Sequence, residues 1–100
     1  MDSILQDDPE HCYLCGRHEG SRYQAMHWHH IFGGNPNRDH SEKYGLKVRL
    51  CGYACHEYGE HAVHRDKEVD LKLKKEGQEA FERVHGSRED FRRIFGKSWL

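Results

Sequence analysis

Two cysteine pairs and a histidine pair carry the chemistry of this sequence. Cys12-x2-Cys15 and Cys51-x3-Cys55 place four thiols at spacings that can close a tetrahedral zinc site. With all four positions on the metal filled by sulfur, such a site would be structural. His29-His30 lies on the segment between the two knuckles, and seven of the ten histidines fall between residues 27 and 64. Adjacent residues of a strand point to opposite faces, so His29 and His30 can take different tasks. One can bind a metal ion while the other accepts a proton, since a neutral imidazole suits both and titrates near neutral pH. The formal charge of −1 gives no support for nucleic-acid binding, and the distribution of charge is more informative than the total. Asp2, Asp7, Asp8 and Glu10 crowd the start, whereas Arg38, Lys43, Lys47, Arg49, Arg65 and Lys67 surround the histidines. A local basic patch can attract phosphates whatever the total charge.

The elements that must position these groups follow from the pattern of apolar residues. Interleaved aromatic and polar residues from Tyr23 to Phe32 predict a short strand. Gly33-Gly34-Asn35-Pro36-Asn37 breaks it. Leu46, Val48 and Leu50 alternate with Lys47 and Arg49, which predicts a second strand running into Cys51. Asp66 is placed to cap a helix reaching about His85, with Val69, Leu73, Gly77, Ala80, Phe81 and Val84 on one face. Gly77 would let a neighbouring backbone come close, and Gly86 would stop the helix. Ser87 and Asp90 resemble a capping box for a short helix that presents Phe91, Ile94 and Phe95 and ends at Gly96. Trp99 and Leu100 are expected to fold back onto these helices. Residues 1–10 read as a flexible acidic leader and residues 11–100 as one domain. A hydrophobic content of 35% gives a marginal core at this size, so a structural metal is the expected supplement. With no secretory or long apolar stretch, the chain reads as cytoplasmic, without a membrane segment, where close cysteines favour zinc over disulfides.

His29-His30-Ile-Phe-Gly-Gly, Val48-Arg-Leu-Cys51 and Cys55-His56 together resemble the HNH endonuclease motif in its zinc-knuckle form. Gly33-Gly34, Asn37-Arg38, Ser41-Glu-Lys-Tyr-Gly45, Ala62-Val-His64 and Phe95-Gly-Lys-Ser-Trp99 are similar to small prophage HNH proteins. Those proteins resemble phage recombination-enhancing, RecA-dependent nucleases. The resemblance covers residues 11–100. It implies an α+β fold: a small ββα-metal (His-Me finger) core stapled by a four-cysteine zinc site, followed by a long helix and a short C-terminal helix. It also implies that His30 is the general base and that His29 and His56 bind a catalytic divalent ion, Mg²⁺, Mn²⁺ or Zn²⁺. Many members carry a further His where this chain has Glu60; His61 and His64 are the replacements at hand, with His64 preferred. The motif's middle Asn is absent, since Leu46 and Lys47 stand in its place. Bracing of the base would then fall to Asn35 or Asn37, with Asn37 preferred. Arg38, Lys43 and Arg65 would contact DNA phosphates. The implied reaction is hydrolysis of a phosphodiester to a 5′-phosphate and a 3′-hydroxyl in phage DNA recombination or processing. A recombinase filament or phage DNA-processing proteins are the implied partners. A zinc-dependent DNA- or protein-binding module without catalysis is the alternative. A redox use of Cys12-x2-Cys15 would need an α/β scaffold that this chain is too short to build.

Overall fold

Leu46, Val48 and Leu50 are fully buried while Lys47 and Arg49 between them stay partly exposed. This alternation forms a strand, as period-2 patterning requires. The computed structural model of the protein describes residues 2–16, 26–51, 56 and 62–100. Five elements follow in order: β1 (Met26–His30), α1 (Asn37–Tyr44), β2 (Lys47–Cys51), α2 (Lys67–Val84) and α3 (Arg88–Phe95). The fold is a small α+β arrangement in which β1 and β2 pair antiparallel as a two-stranded sheet. Their register sets Met26 opposite Cys51, His27 opposite Leu50, His29 opposite Val48 and His30 opposite Lys47. His29 therefore shares a face with Val48 and Leu50, and His30 shares the other with Trp28, Lys47 and Arg49. The strand expected from Tyr23 to Phe32 is shorter at its far end. Ile31 and Phe32 leave it as bends and turn into the core, while residues 23–25 lie outside the described residues.

The connection between the strands contains a helix that sequence pattern does not announce. In α1 only Ser41 is buried, so no apolar stripe marks it. Gly45 ends the helix in the left-handed region at φ 73°, where a Cβ would be strained, and donates its N–H to the Ser41 and Glu42 carbonyls. Ring contacts hold α1 in place: His40 meets Phe95 at 5.8 Å and Tyr44 meets Phe81 at 5.4 Å.

The long helix begins where expected, because the Asp66 carboxylate accepts from the N–H groups of Glu68 and Val69. Leu73, Gly77, Ala80 and Phe81 form its buried face. Val84, expected on that face, is instead 54% exposed at the last residue of the helix. At Gly77 the close approach is by side chains and not by a neighbouring backbone: a Cβ there would lie 3.2 Å from Ile31 and Phe32. The Ser87–Asp90 capping box is complete, and Gly96 closes α3 at φ 93°. Phe91 stacks on Phe95 at 4.6 Å, and Phe32 meets both at 5.1 and 4.9 Å. The residues that follow the histidine pair are thereby anchored to α3. Trp99 folds back, donating its N–H to Gln78 Oε1 at 2.6 Å, whereas Leu100 stays 41% exposed.

Residues 2–10 make contacts that a loose leader would not. Ser3 donates to the Lys47 carbonyl, Ile4 N–H donates to the Gly45 carbonyl at 2.9 Å, and Ile4 and Leu5 pack against the core. Their acidity hides two apolar residues that find the open edge of β2.

Candidate functional site

Two ligand clusters sit on the sheet. The first gathers Cys12, Cys15 and Cys51, whose sulfurs all lie within 4.8 Å of one another. Cys51 ends β2, and Cys12 and Cys15 come from a turn pinned to the same strand by Tyr13 N–H donating to the Arg49 carbonyl at 2.8 Å. Cys15 and Cys51 sulfurs are 3.8 Å apart. That is the edge expected of a tetrahedral site with Zn–S near 2.3 Å, about 3.8 Å, and far too long for a disulfide. Burial raises the Cys12 thiol, but the backbone groups of Cys15, Cys51 and Leu14 outweigh it and bring the pKa down to about 7. The site can therefore offer thiolate near neutral pH. Cys55, the expected fourth ligand, lies outside the described residues.

The second cluster joins His29, His56 and His64, whose ring nitrogens also lie within 4.8 Å of one another. His29 reaches it because the strand face that forms the core also carries this residue, and it is only 6% exposed. His64 stands in the turn just before the Asp66 cap and donates its backbone N–H to the His56 carbonyl at 3.3 Å. The Nε2 atoms of His56 and His64 are 3.0 Å apart. A tetrahedral ion at about 2.0–2.1 Å from each would set them about 3.4 Å apart, a small relaxation away. His29 Nε2 is the buried side-chain polar atom without a hydrogen-bond partner among the described residues. An orphaned buried nitrogen is costly, and a metal ion at the cluster would satisfy it. The donors present thus fit a divalent ion. His61, the other candidate ligand, lies outside the described residues.

Burial, then the nearby His56, His64 and His30 rings, push the His29 pKa down to about 3. The unfolded chain keeps its ordinary value of 6.5, so below that pH the unfolded state binds a proton that the folded state does not. Stability is therefore whole above pH 6.5 and falls as pH drops toward 3. With one zinc equivalent per chain, we expect His29 to add about 1.4 kcal/mol per pH unit to the stability slope between pH 6 and 5. Urea unfolding of the protein and His29→Leu across that range measures it. Equal slopes would refute the assignment.

His30 stands on the opposite strand face, with Nε2 3.9 Å from Glu42, whose carboxylate holds Lys47 Nζ at 2.6 Å. Burial lowers the His30 pKa, against the upward pull of Glu42. A neutral imidazole suits a proton acceptor. His29, His30, His56, His64, Arg38 and Arg65 all line one cavity of about 570 Å³. Lys43, grouped with the two arginines from sequence, is not on its wall; its Nζ lies 5.4 Å from the Tyr44 ring centroid. Lys74 of α2 does line the cavity.

Asn37 does not brace His30. Its Nδ2 donates to the Phe95 carbonyl at 3.2 Å and ties α1 to the end of α3. The bracing falls to Ser41, fully buried, whose hydroxyl accepts from Phe32 N–H at 3.1 Å and donates to the Phe32 carbonyl at 2.9 Å. Ile31 N–H is held by the Leu46 carbonyl at 3.0 Å. The sequence marked Ser41 only as part of the Ser41-Glu-Lys-Tyr-Gly45 resemblance, because a serine inside a polar run otherwise reads as surface. Ser41→Ala leaves both Phe32 backbone groups unpaired, and we expect a loss of about 2–4 kcal/mol in unfolding free energy. Urea denaturation checks this, and a change below about 0.5 kcal/mol would count against the bracing.

The chain matches no known family model, no curated protein and no solved structure.

Proposed function

We propose that this protein is a metal-dependent DNA endonuclease of the HNH, ββα-metal kind, with β1, β2 and α2 as the two strands and the helix. The observation that supports the reading most is the convergence of His29, His56 and His64 beside His30 in one cavity that Arg38 and Arg65 also line. In this reading the thiolate cluster holds a structural zinc, and the three imidazoles hold a separate catalytic ion. A bound divalent ion would neutralise charge on the phosphate and stabilise the leaving 3′ oxygen. His30 would take the proton of the attacking water, with the Glu42 carboxylate 3.9 Å from its ring. Arg38 and Arg65 would position the phosphates without reading sequence. A domain of this size binds DNA mostly through such contacts, so affinity should fall steeply with salt, and a recombinase filament or other DNA-processing partner would supply what is missing.

A cluster of three imidazoles suits a transition ion better than magnesium, which prefers oxygen ligands. The test is incubation of plasmid and single-stranded DNA with the protein and Mg²⁺, Mn²⁺ or Zn²⁺. Cleavage is expected with Zn²⁺ or Mn²⁺ and weakest with Mg²⁺. No cleavage with any ion, together with retained DNA binding, would leave the non-catalytic module as the better reading.

A further inference from the structure

His27 belongs to neither ligand cluster, yet its ring lies against one. Its Nδ1 is 3.1 Å from His56 Nδ1, with the two rings perpendicular at 88° and 5.2 Å between centroids. On the other edge of the same His56 ring, Nε2 faces His64 Nε2 at 3.0 Å. The two nitrogens of His56 thus have opposite neighbours: His27 behind, the ligand cluster in front.

A ligating imidazole must present a lone pair, so the proton of a neutral His56 must sit on the nitrogen away from the ion. That proton needs an acceptor, which in metal sites is usually a carboxylate, a carbonyl or a water. We propose that His27 is a positioning residue for the catalytic ion: its Nδ1 accepts the His56 Nδ1 proton, fixing the His56 tautomer and ring so that Nε2 faces the ion. The proposal rests on the metal site of the nuclease reading and extends it to a residue that the ligand set does not contain. His27 and His29 share one strand face, with Leu50 and Val48 opposite them. A single strand therefore supplies one ligand directly and steadies a second from behind. His29 is held by burial in the sheet and His64 by the turn before the Asp66 cap, so the His27 contact gives the third ligand its own support. Placed this way, His27 touches neither substrate nor ion.

Cobalt(II) binding to the full chain tests this, because both clusters report separately. Thiolate ligation gives a charge-transfer absorption, and imidazole ligation gives only weak visible bands. His27→Ala removes the acceptor, and His27→Asn restores one, since its side-chain oxygen sits where the imidazole Nδ1 was. We expect His27→Ala to weaken cobalt binding at the histidine cluster about 10–100-fold while thiolate absorption titrates unchanged. His27→Asn should bind nearly as the unaltered chain does. Equal binding by His27→Ala overturns the proposal. So does an equal loss at both clusters, which would mark a general structural effect, or a His27→Asn variant as weak as His27→Ala. If the unaltered chain takes up cobalt only at the thiolates, the catalytic-ion reading fails first and this proposal with it. That outcome is distinct because it needs no variant.

Discussion

Replacing His30 with alanine should slow DNA cleavage about 10²–10⁴-fold while both metal sites stay loaded. The strand pleat is the reason. His30 lies on the strand face opposite His29 and is not one of the three clustered imidazoles, so on the nuclease reading its loss removes a proton acceptor and no metal ligand. Its neighbours are polar: Glu42 at 3.9 Å and, through that carboxylate, Lys47. Truncation there opens no core cavity, and stability should change little. Burial lowers its pKa, so the ring stays neutral to below its ordinary 6.5. A base works only when neutral, so cleavage should rise with pH through that lowered value and then level off. His30→Ala should lose this ascending limb. Metal content by mass spectrometry and single-turnover cleavage across pH decide the matter. Equal cleavage by both proteins would remove His30 as the base.

Loss of the thiolate cluster should have the largest effect on folding. Cys51 is fully buried at the end of β2, Cys12 is 3% exposed, and both belong to the core beside Leu50 and Val48. Structural zinc in small domains contributes roughly 10–16 kcal/mol of apparent binding free energy. A domain of this size has about 5–15 kcal/mol of stability in all. The metal term therefore equals or exceeds the margin. Cys51→Ser, or a strong chelator, should abolish the cooperative thermal transition, and zinc added back after chelation should restore it. A chelated protein that melts as before would show that the apolar core suffices without the ion.

How much of this could be read from sequence differs by element. The β2 alternation, the Asp66 cap and the Ser87–Asp90 box were plain, because each rests on local chemistry within a few residues. The helix α1 was not, since its contacts are made by His40 and Tyr44 rings against distant α3 and α2. His29, His56 and His64 could be grouped by family resemblance, but no spacing rule reveals that His27 lies behind His56. The exchange of tasks between Asn37 and Ser41 is likewise a tertiary fact. Which of two polar residues on one helix turns inward depends on what packs against it, and here Phe32 and Phe95 decide. Val84 fits the helical stripe by periodicity, yet it stays exposed among the described residues.

The register of β1 against β2 has a consequence for control. On the nuclease reading His29 and His30 are neighbours with different tasks on opposite strand faces, so a slip of one position would exchange those faces. The ligand would turn to solvent and the proton acceptor would turn toward His56 and His64. A mispaired chain would then have no usable ion site and no usable base, however intact its residues. Cutting would be withheld from misfolded copies by geometry alone, and a cell making such an enzyme would meet its activity only in chains that had finished folding.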